Sequence, residues 1–297
     1  MIRLPGAKLT KSDALVSVII PARNNADTIE RCLRSICEQT YKNLEILVWD
    51  DCSGDNTFDI AKHFGDPRIS AHRGEHWGAP AYARNRLMDI ASGDFIAWQD
   101  ADDVSHPQRL EYQLIAMVAA RAGLCHVSKQ YFKEEGEIPH LHYDAITLNC
   151  LGGGGTIPSA VIVARPRIPL CEFMLMRHEY VWARLAGYVF SRIIVMDQLY
   201  FYSAEPRPAR YTLAHKDQEH NLYDFALQAS AVRRFCGYGE KLVAKAARHT
   251  EKALAKLGIQ YRGDQIAVQS QRIEGKMKRC PDPGFIQTHM FQRMDSK

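Results

Sequence analysis

The sequence predicts an α/β protein: a mixed, mainly parallel sheet flanked by helices, followed by a helical C-terminal segment. Three observations carry that expectation. From residue 15 to about 130, short apolar runs alternate with stretches of helical period. The runs at 15–20, 44–49 and 95–98 end in polar clusters, "PARNN", "DDCSGD" and "QDADD". Beyond residue 213 the pattern is mostly helical and the charge turns basic.

Residues 15–20 read as a first strand, and 26–38 as a helix with Ile29, Leu33 and Ile36 on one face. Residues 44–49 are a second strand and 55–64 a short helix. Residues 68–72 give a third strand, and 80–90 a helix stopped by Ser92 and Gly93. Residues 95–98 form a fourth strand, and 106–120 a helix opened by Pro107. Strands that alternate with helices build a parallel sheet covered on both faces, and ligands gather at the carboxyl ends of its strands. The second half is less regular. A strand is expected at 157–164, a helix at 179–186, and two short apolar runs at 189–196 and 199–202. The expected division is 1–212 (donor half about 15–120, acceptor half about 121–212) and 213–297.

At 297 residues the chain buries a sizeable core. A net charge of +4 is too small to indicate nucleic-acid binding. Residues 233–297 hold 14 Lys/Arg against 6 Asp/Glu, a net +8 that leaves −4 for residues 1–232. Such a basic tail suits a solvated helical face first, and peripheral membrane contact or a partner subunit second. The oligomeric state is not readable. Eight scattered cysteines without a C-x-x-C pair read as buried free thiols in a reducing compartment, so a cytoplasmic location is expected.

The run Phe95–Asp103, "FIAWQDADD", leads an apolar strand into three carboxylates. With 19 Asp in the chain, one Asp-x-Asp triplet is expected by composition alone. Position gives this one meaning. Carboxylates in the loop after a strand can share a hard divalent cation, Mn²⁺ or Mg²⁺, which in turn bridges phosphate oxygens. The plainer reading has Asp103 to Ser105 capping the next helix, which leaves Asp100 and Asp102 unexplained.

"VSVIIPARNNADTIERCLRSICEQTYKNLEILVWDDCSGDNT" and "GAPAYARNRLMDIASGDFIAWQDADD" resemble the family 2 glycosyltransferases of the Rossmann-like GT-A fold. The Pro-x-x-Asn strand end, the Ser-x-x-x-Gln-Thr-Tyr helix tail, Asp-Asp-x-Ser-x-Asp-x-Thr, Ala-Arg-Asn and Asp-Ala-Asp-Asp occur in the family's order. The likeness is strong over about 15–115 and weaker to about 205.

The resemblance implies a nucleotide-sugar donor, most often a UDP-sugar, and a saccharide or lipid-linked acceptor. Pro21 and Ala22 would then line the nucleoside, with Arg23 and Asn24 beside them. Asp51 would accept the uracil imide N–H, with Ser53 nearby. Arg84 would approach the diphosphate or the base. Asp100 and Ala101 would meet the ribose or sugar, and Asp102 would hold the metal. Outside the family, Asp51 would make an Asx-turn with Ser53, and Arg84 would be an exposed helical arginine. Arg23 stands where the family often has Tyr, and Leu87 where it often has Gly.

Inverting transfer needs a general base for the acceptor hydroxyl. The family places a Glu-Asp pair before a Trp-x-Arg-Leu helix. Here "MRHEYVWARLAGY" keeps Trp182, Arg184 and Leu185. Alignment from Trp182 puts Arg177 and His178 at the pair, and a one-residue shift puts His178 and Glu179 there. Glu179 is the preferred base and His178 the alternative. A first-turn helix carboxylate is the plain reading of Glu179.

"LGGGGT" (151–156) lacks the ending of a phosphate loop and reads as a glycine-rich loop at the acceptor side. Arg207 and Arg210 would fold over the diphosphate, with His215 a third metal ligand. The expected function is therefore metal-dependent sugar transfer in bacterial surface-polysaccharide synthesis. Two rivals are a non-catalytic nucleotide-sugar or glycan-binding subunit, and a sugar-nucleotide nucleotidyltransferase. The latter lacks its glycine-rich loop after the first strand.

Overall fold

The computed structural model describes residues 2–133, 136, 138, 145–149, 161–164, 170, 179, 182–183, 186, 190–204 and 239–260. In chain order the elements are β1 (Ile2–Pro5), β2 (Lys8–Leu9), β3 (Val16–Ala22), α1 (Ile29–Cys37), β4 (Leu44–Asp50), α2 (Thr57–Lys62), β5 (Ile69–Arg73), α3 (Pro80–Ile90) and β6 (Phe95–Trp98). They continue with β7 (Val104–Ser105), α4 (Arg109–Ala120), β8 (Leu124–Phe132), β9 (Ala145–Asn149), β10 (Ile162–Ala164), β11 (Arg192–Ser203), α5 (Gly239–Ala255) and β12 (Ile259–Gln260).

One sheet runs β1–β9–β11–β8–β10–β6–β3–β4–β5, with β7 paired to β11. The block β6–β3–β4–β5 is parallel, as the alternation of strands and helices requires. Beyond β6 the sheet is mixed. β10 is antiparallel to both β6 and β8, whereas β11 is parallel to β8. Burial explains the near-continuous apolar strands: Val16, Val18, Ile19, Ile20, Ile46 and Val48 have no exposed surface. Each such side chain contributes about 2 kcal/mol on leaving water.

Helices α1, α2 and α4 start later than expected, for local reasons. The Asn25 carbonyl accepts the N–H groups of Thr28 and Ile29, so 26–28 form a turn and α1 begins at Ile29. Asp55 accepts the Thr57 N–H at 3.0 Å and sets the start of α2. The capping role of Asp103 to Ser105 is not observed. Helix α4 starts at Arg109, and Gln39 from the end of α1 accepts the Leu110 N–H at 3.0 Å.

The two runs at 189–196 and 199–202 are a single strand, β11, interrupted by irregular register between Val195 and Tyr200. Strands β1, β2, β7, β8, β9 and β12 have no counterpart in the sequence reading. Helix α5 joins the main core through Ala246 and Ala253, and Lys256 just after it pairs with Asp94 at 2.7 Å. No helix among the described residues is long and apolar enough to cross a membrane. The expected boundary near 212 lies outside the described residues.

Candidate functional site

The carboxyl ends of β3, β4 and β6 converge, and their loops are sewn together. Asp51 N–H donates to the Ala22 carbonyl at 2.9 Å. Asn24 N–H donates to Ser53 Oγ at 2.9 Å, and Asn24 Oδ1 accepts the Gly54 N–H at 2.9 Å. Asn24 and Cys52 hold left-handed φ angles of 51° and 57°, so each loop turns sharply just past its strand. Asn24 and Ser53 thus spend their side-chain groups fixing the rim of the site. Pro21 and Ala22 lie on β3 where it meets Trp49 and Asp50 of β4.

Asp50, rather than Asp51, makes the turn with Ser53. It accepts the Ser53 N–H at 3.1 Å and the Ser53 hydroxyl, and pairs with Arg73 Nε at 3.2 Å. Asp51 faces the loop after β5 instead. Its Oδ1 accepts the Trp77 N–H at 2.9 Å. Its Oδ2 accepts the Gly78 N–H at 3.3 Å and His76 Nδ1–H at 2.9 Å. Gly78 has φ +82°, a backbone state that suits glycine and here turns its N–H toward Asp51.

Arg23 Nη1 donates to His76 Nε2 at 2.8 Å, which fixes the His76 tautomer as Nδ1–H. A carboxylate has about four acceptor positions, and one on Asp51 stays open beside the three bonds above. One further N–H can be read there. The Trp77 ring is 51% exposed and stacks on Tyr82 with centroids 4.6 Å apart.

Sequence reasoning missed His76, Trp77 and Gly78. The rule that drew attention to "PARNN" and "DDCSGD" applies equally to "RGEHWG", the polar cluster after β5.

The acidic loop eases its repulsion in two ways. Asp100 Oδ1 pairs with Arg84 Nη2 at 2.6 Å. Asp103 is fully buried, and burial, then the charges of Asp102 and Asp100, push its carboxyl well above the usual range. Its Oδ1 accepts the Ser203 N–H at 2.8 Å. The Asp102 carbonyl accepts from Arg31 Nη2 at 3.3 Å, and its side chain is half-buried. Ala101, between them, is buried.

Beneath the loop, Gln99 is a buried staple. Its amide donates to the carbonyls of Asp100 at 3.2 Å and Asp103 at 3.0 Å. Its Oε1 accepts from Ser105 Oγ at 2.7 Å and Arg109 Nη1 at 3.1 Å. Burial lowers the Arg109 pKa to about 10, so the guanidinium stays charged at neutral pH. Tyr200 Oη accepts the Asp100 N–H at 3.1 Å.

Arg84 is not an exposed helical arginine. It lies on the buried side of α3, 2% exposed, with its guanidinium carbon 5.1 Å from the Trp98 ring centroid. Its Nη1 is 2.9 Å from Glu179 Oε1. Burial works against its charge, but the fields and hydrogen bonds of Asp100 and Glu179 raise its pKa above the ordinary value. Glu179 is helical, as are Trp182, Ala183 and Ala186. Trp182 packs on Trp98 with centroids 4.3 Å apart. The structure therefore brings Glu179 to Asp100 through Arg84. His178, Arg207, Arg210, His215 and the glycine loop 151–156 lie outside the described residues.

The Glycosyl transferase family 2 sequence model matches residues 17–170, more than half of the chain. The chain belongs to that family. The UDP-Glc:alpha-D-GlcNAc-diphosphoundecaprenol beta-1,3-glucosyltransferase WfgD of Escherichia coli is 42% identical over 106 residues, which are 36% of this chain and 42% of WfgD. The putative glycosyltransferase EpsE of Bacillus subtilis is 41% identical over 187 residues, covering 58% of this chain and 59% of EpsE. The matches thus span about half the length of these relatives. Among solved structures, the first 349 residues of S. aureus TarS superpose with a TM-score of 0.55 at 16% identity, covering 84% of this chain and 98% of that one. At that identity TarS speaks for the GT-A fold alone.

Among the described residues no group of three or more His, Cys, Asp or Glu forms a self-contained metal cage. One carboxylate in a loop still fits a cation held jointly with substrate phosphates, the usual arrangement for Mg²⁺. Asp102, half-buried in the loop after β6, has the oxygen-donor chemistry that such a cation takes.

Proposed function

We propose that this family 2 protein transfers a sugar, with inversion, from a UDP-sugar to a saccharide or lipid-linked acceptor in bacterial surface-polysaccharide synthesis. The observation that carries the reading is the convergence of Asp51, Asp100 and Glu179 at one end of the sheet, with Asp100 and Glu179 on the same guanidinium. Family membership and the relatives' names agree with it. WfgD and WfaP of Escherichia coli are both named for UDP-glucose and a diphosphoundecaprenol-linked acceptor. A structure of TarS holds UDP-GlcNAc.

In this reading the open acceptor position of Asp51 takes the uracil imide N–H, against the wall of Pro21, Ala22 and Arg23. Asp100 orients the ribose or the sugar. Asp102 would hold Mn²⁺ or Mg²⁺, which when bound would supply charge stabilisation for the departing nucleoside diphosphate. Glu179 takes the proton of the acceptor hydroxyl as its oxygen attacks the anomeric carbon and the bond to the diphosphate breaks. The basic C-terminal segment is proposed to meet an anionic membrane surface or a partner.

A donor screen that follows UDP release tests this function, comparing wild type with Glu179→Gln. Turnover with a UDP-sugar, lost by ~10²-fold or more in the variant, is the expected result. Full turnover in Glu179→Gln would dismiss Glu179 and turn attention to His178. UDP binding without turnover would favour the non-catalytic binding subunit.

A further inference from the structure

We infer that Arg84 is the positioning residue of this site: it holds the donor-side carboxylate of Asp100 and the acceptor-side carboxylate of Glu179 together, and it does not itself bind the donor. The inference rests on the transferase reading above and adds a role to it. The resemblance alone assigned Arg84 to the diphosphate or the base.

Three observations point elsewhere. First, Arg84 is 2% exposed, so its guanidinium presents almost no surface to a ligand. Second, its two terminal nitrogens are engaged by different elements. Nη2 meets Asp100 after β6 at 2.6 Å, and Nη1 meets Glu179, 95 residues later, at 2.9 Å. A planar fork does this in a fixed geometry that a single ammonium cannot copy. Third, the guanidinium lies over Trp98, and Trp98 carries Trp182 at 4.3 Å. Trp182 is three residues beyond Glu179, close to one helical turn. The stack Arg84, Trp98, Trp182 therefore fixes the Glu179 segment against β6.

This arrangement has a chemical consequence. Two like charges are brought close at the junction of donor and acceptor sides, and one buried cation makes their proximity tolerable. Without that cation Asp100 and Glu179 repel, and Glu179 leaves the direction from which the acceptor proton is taken. A displacement of about 1 Å in such a group is enough to cost a large factor in rate while leaving donor binding intact.

The test uses Arg84→Lys, Arg84→Met and Arg84→Met with Glu179→Gln in the full chain. UDP affinity is measured by calorimetry in the presence of Mn²⁺, kcat and donor KM by UDP release, and Tm by thermal unfolding. Arg84→Lys is expected to keep the UDP Kd and donor KM within ~3-fold and to lower kcat by ~10-fold or more. Arg84→Met is expected to lower Tm. Adding Glu179→Gln should recover part of that loss by removing one of the two facing charges, without recovering turnover.

A UDP Kd weakened ~10-fold in Arg84→Lys with kcat retained would overturn the inference and make Arg84 a donor ligand. Failure of Glu179→Gln to restore any Tm would overturn it too, since the two acids would then not share the cation. If wild type turned over no donor, the transferase reading would fall, while the Tm and UDP arms would still decide whether Arg84 joins the two acids or binds the donor.

Discussion

Asp103 Oδ1 accepts the backbone N–H of Ser203 at 2.8 Å, fastening the acidic loop to the end of β11 one hundred residues further along the chain. The bond is fully buried, and so is the carboxyl that makes it. The last Asp of the motif is thus a structural member, and burial beside Asp102 and Asp100 pushes its carboxyl toward the neutral form.

Removing Asp103 leaves a buried N–H without an acceptor, so Asp103→Ala is expected to cost about 2–3 kcal/mol in urea unfolding. Asp103→Asn keeps an acceptor oxygen and is expected to cost less. The sign of the pH dependence follows from the raised carboxyl. Above the ordinary carboxyl value the folded wild type binds a proton that the unfolded chain releases, so wild-type stability falls as pH rises. Between pH 5 and 7, with chelator present, Asp103→Asn should gain on wild type by about 1 kcal/mol or more. Parallel pH profiles would contradict a protonated Asp103.

Asp66 works in the opposite sense. Hydrogen bonds from the Arg68 guanidinium, the nearest at 2.7 Å, hold its carboxyl far below the usual range. Its stability contribution is present above the unfolded carboxyl value and lost as pH falls below it. Arg68 also donates to the Cys37 carbonyl at 3.0 Å, so the pair ties the start of β5 to the end of α1. Asp66→Asn should lose about 1 kcal/mol at pH 7, less near pH 3, and least once pH falls through the depressed folded value, read by denaturant midpoints.

Cysteine alkylation can locate the donor. Cys52 is exposed and directly follows Asp51, whereas Cys32 and Cys125 are buried. Burial raises the Cys37 thiol to about 12 and also lifts Cys32 and Cys125. Thiolate is the reactive form. At pH 8, iodoacetamide should modify Cys52 ahead of Cys32, Cys37 and Cys125, as followed by peptide mass spectrometry. Saturating UDP should slow Cys52 several-fold and leave Cys37 unchanged. Equal rates with and without UDP would place the nucleotide elsewhere.

Asp51 holds the loop after β5 through Trp77, Gly78 and His76. Asp51→Ala is expected to raise amide exchange at Trp77 and Gly78 and to weaken UDP binding by ~10-fold or more. Unchanged UDP affinity would remove Asp51 from the nucleoside site.

The parallel half of the fold was legible because each strand and helix there signals itself locally. The reading of 80–90 and 95–98 matches α3 and β6. The second half was not, because its pairings are long-range. β1 finds its partner in β9, and β2 in β12, near opposite ends of the chain. No local period announces such short edge strands. β11 looked like two runs because Asp197 and Gln198 break the apolar pattern where the register shifts. Asp197 is there to accept the Thr147 N–H at 2.7 Å.

The site was legible as a set of residue types at strand ends. What those residues do to one another was not. Arg84 could be seen as an arginine near a motif, but burial against Trp98 and a partner 95 residues away are facts of packing. The same holds for Gln99, whose four bonds beneath the acidic loop have no signature in sequence.

The most direct test of the central claim is a UDP titration of wild type and Asp102→Ala, each with and without Mn²⁺. The donor-site account predicts wild-type affinity at least ~10-fold tighter with Mn²⁺, and an Asp102→Ala affinity that the metal no longer improves. Wild-type affinity independent of metal, or metal dependence kept in Asp102→Ala, would contradict the assignment of the acidic loop to a metal-bound nucleotide sugar.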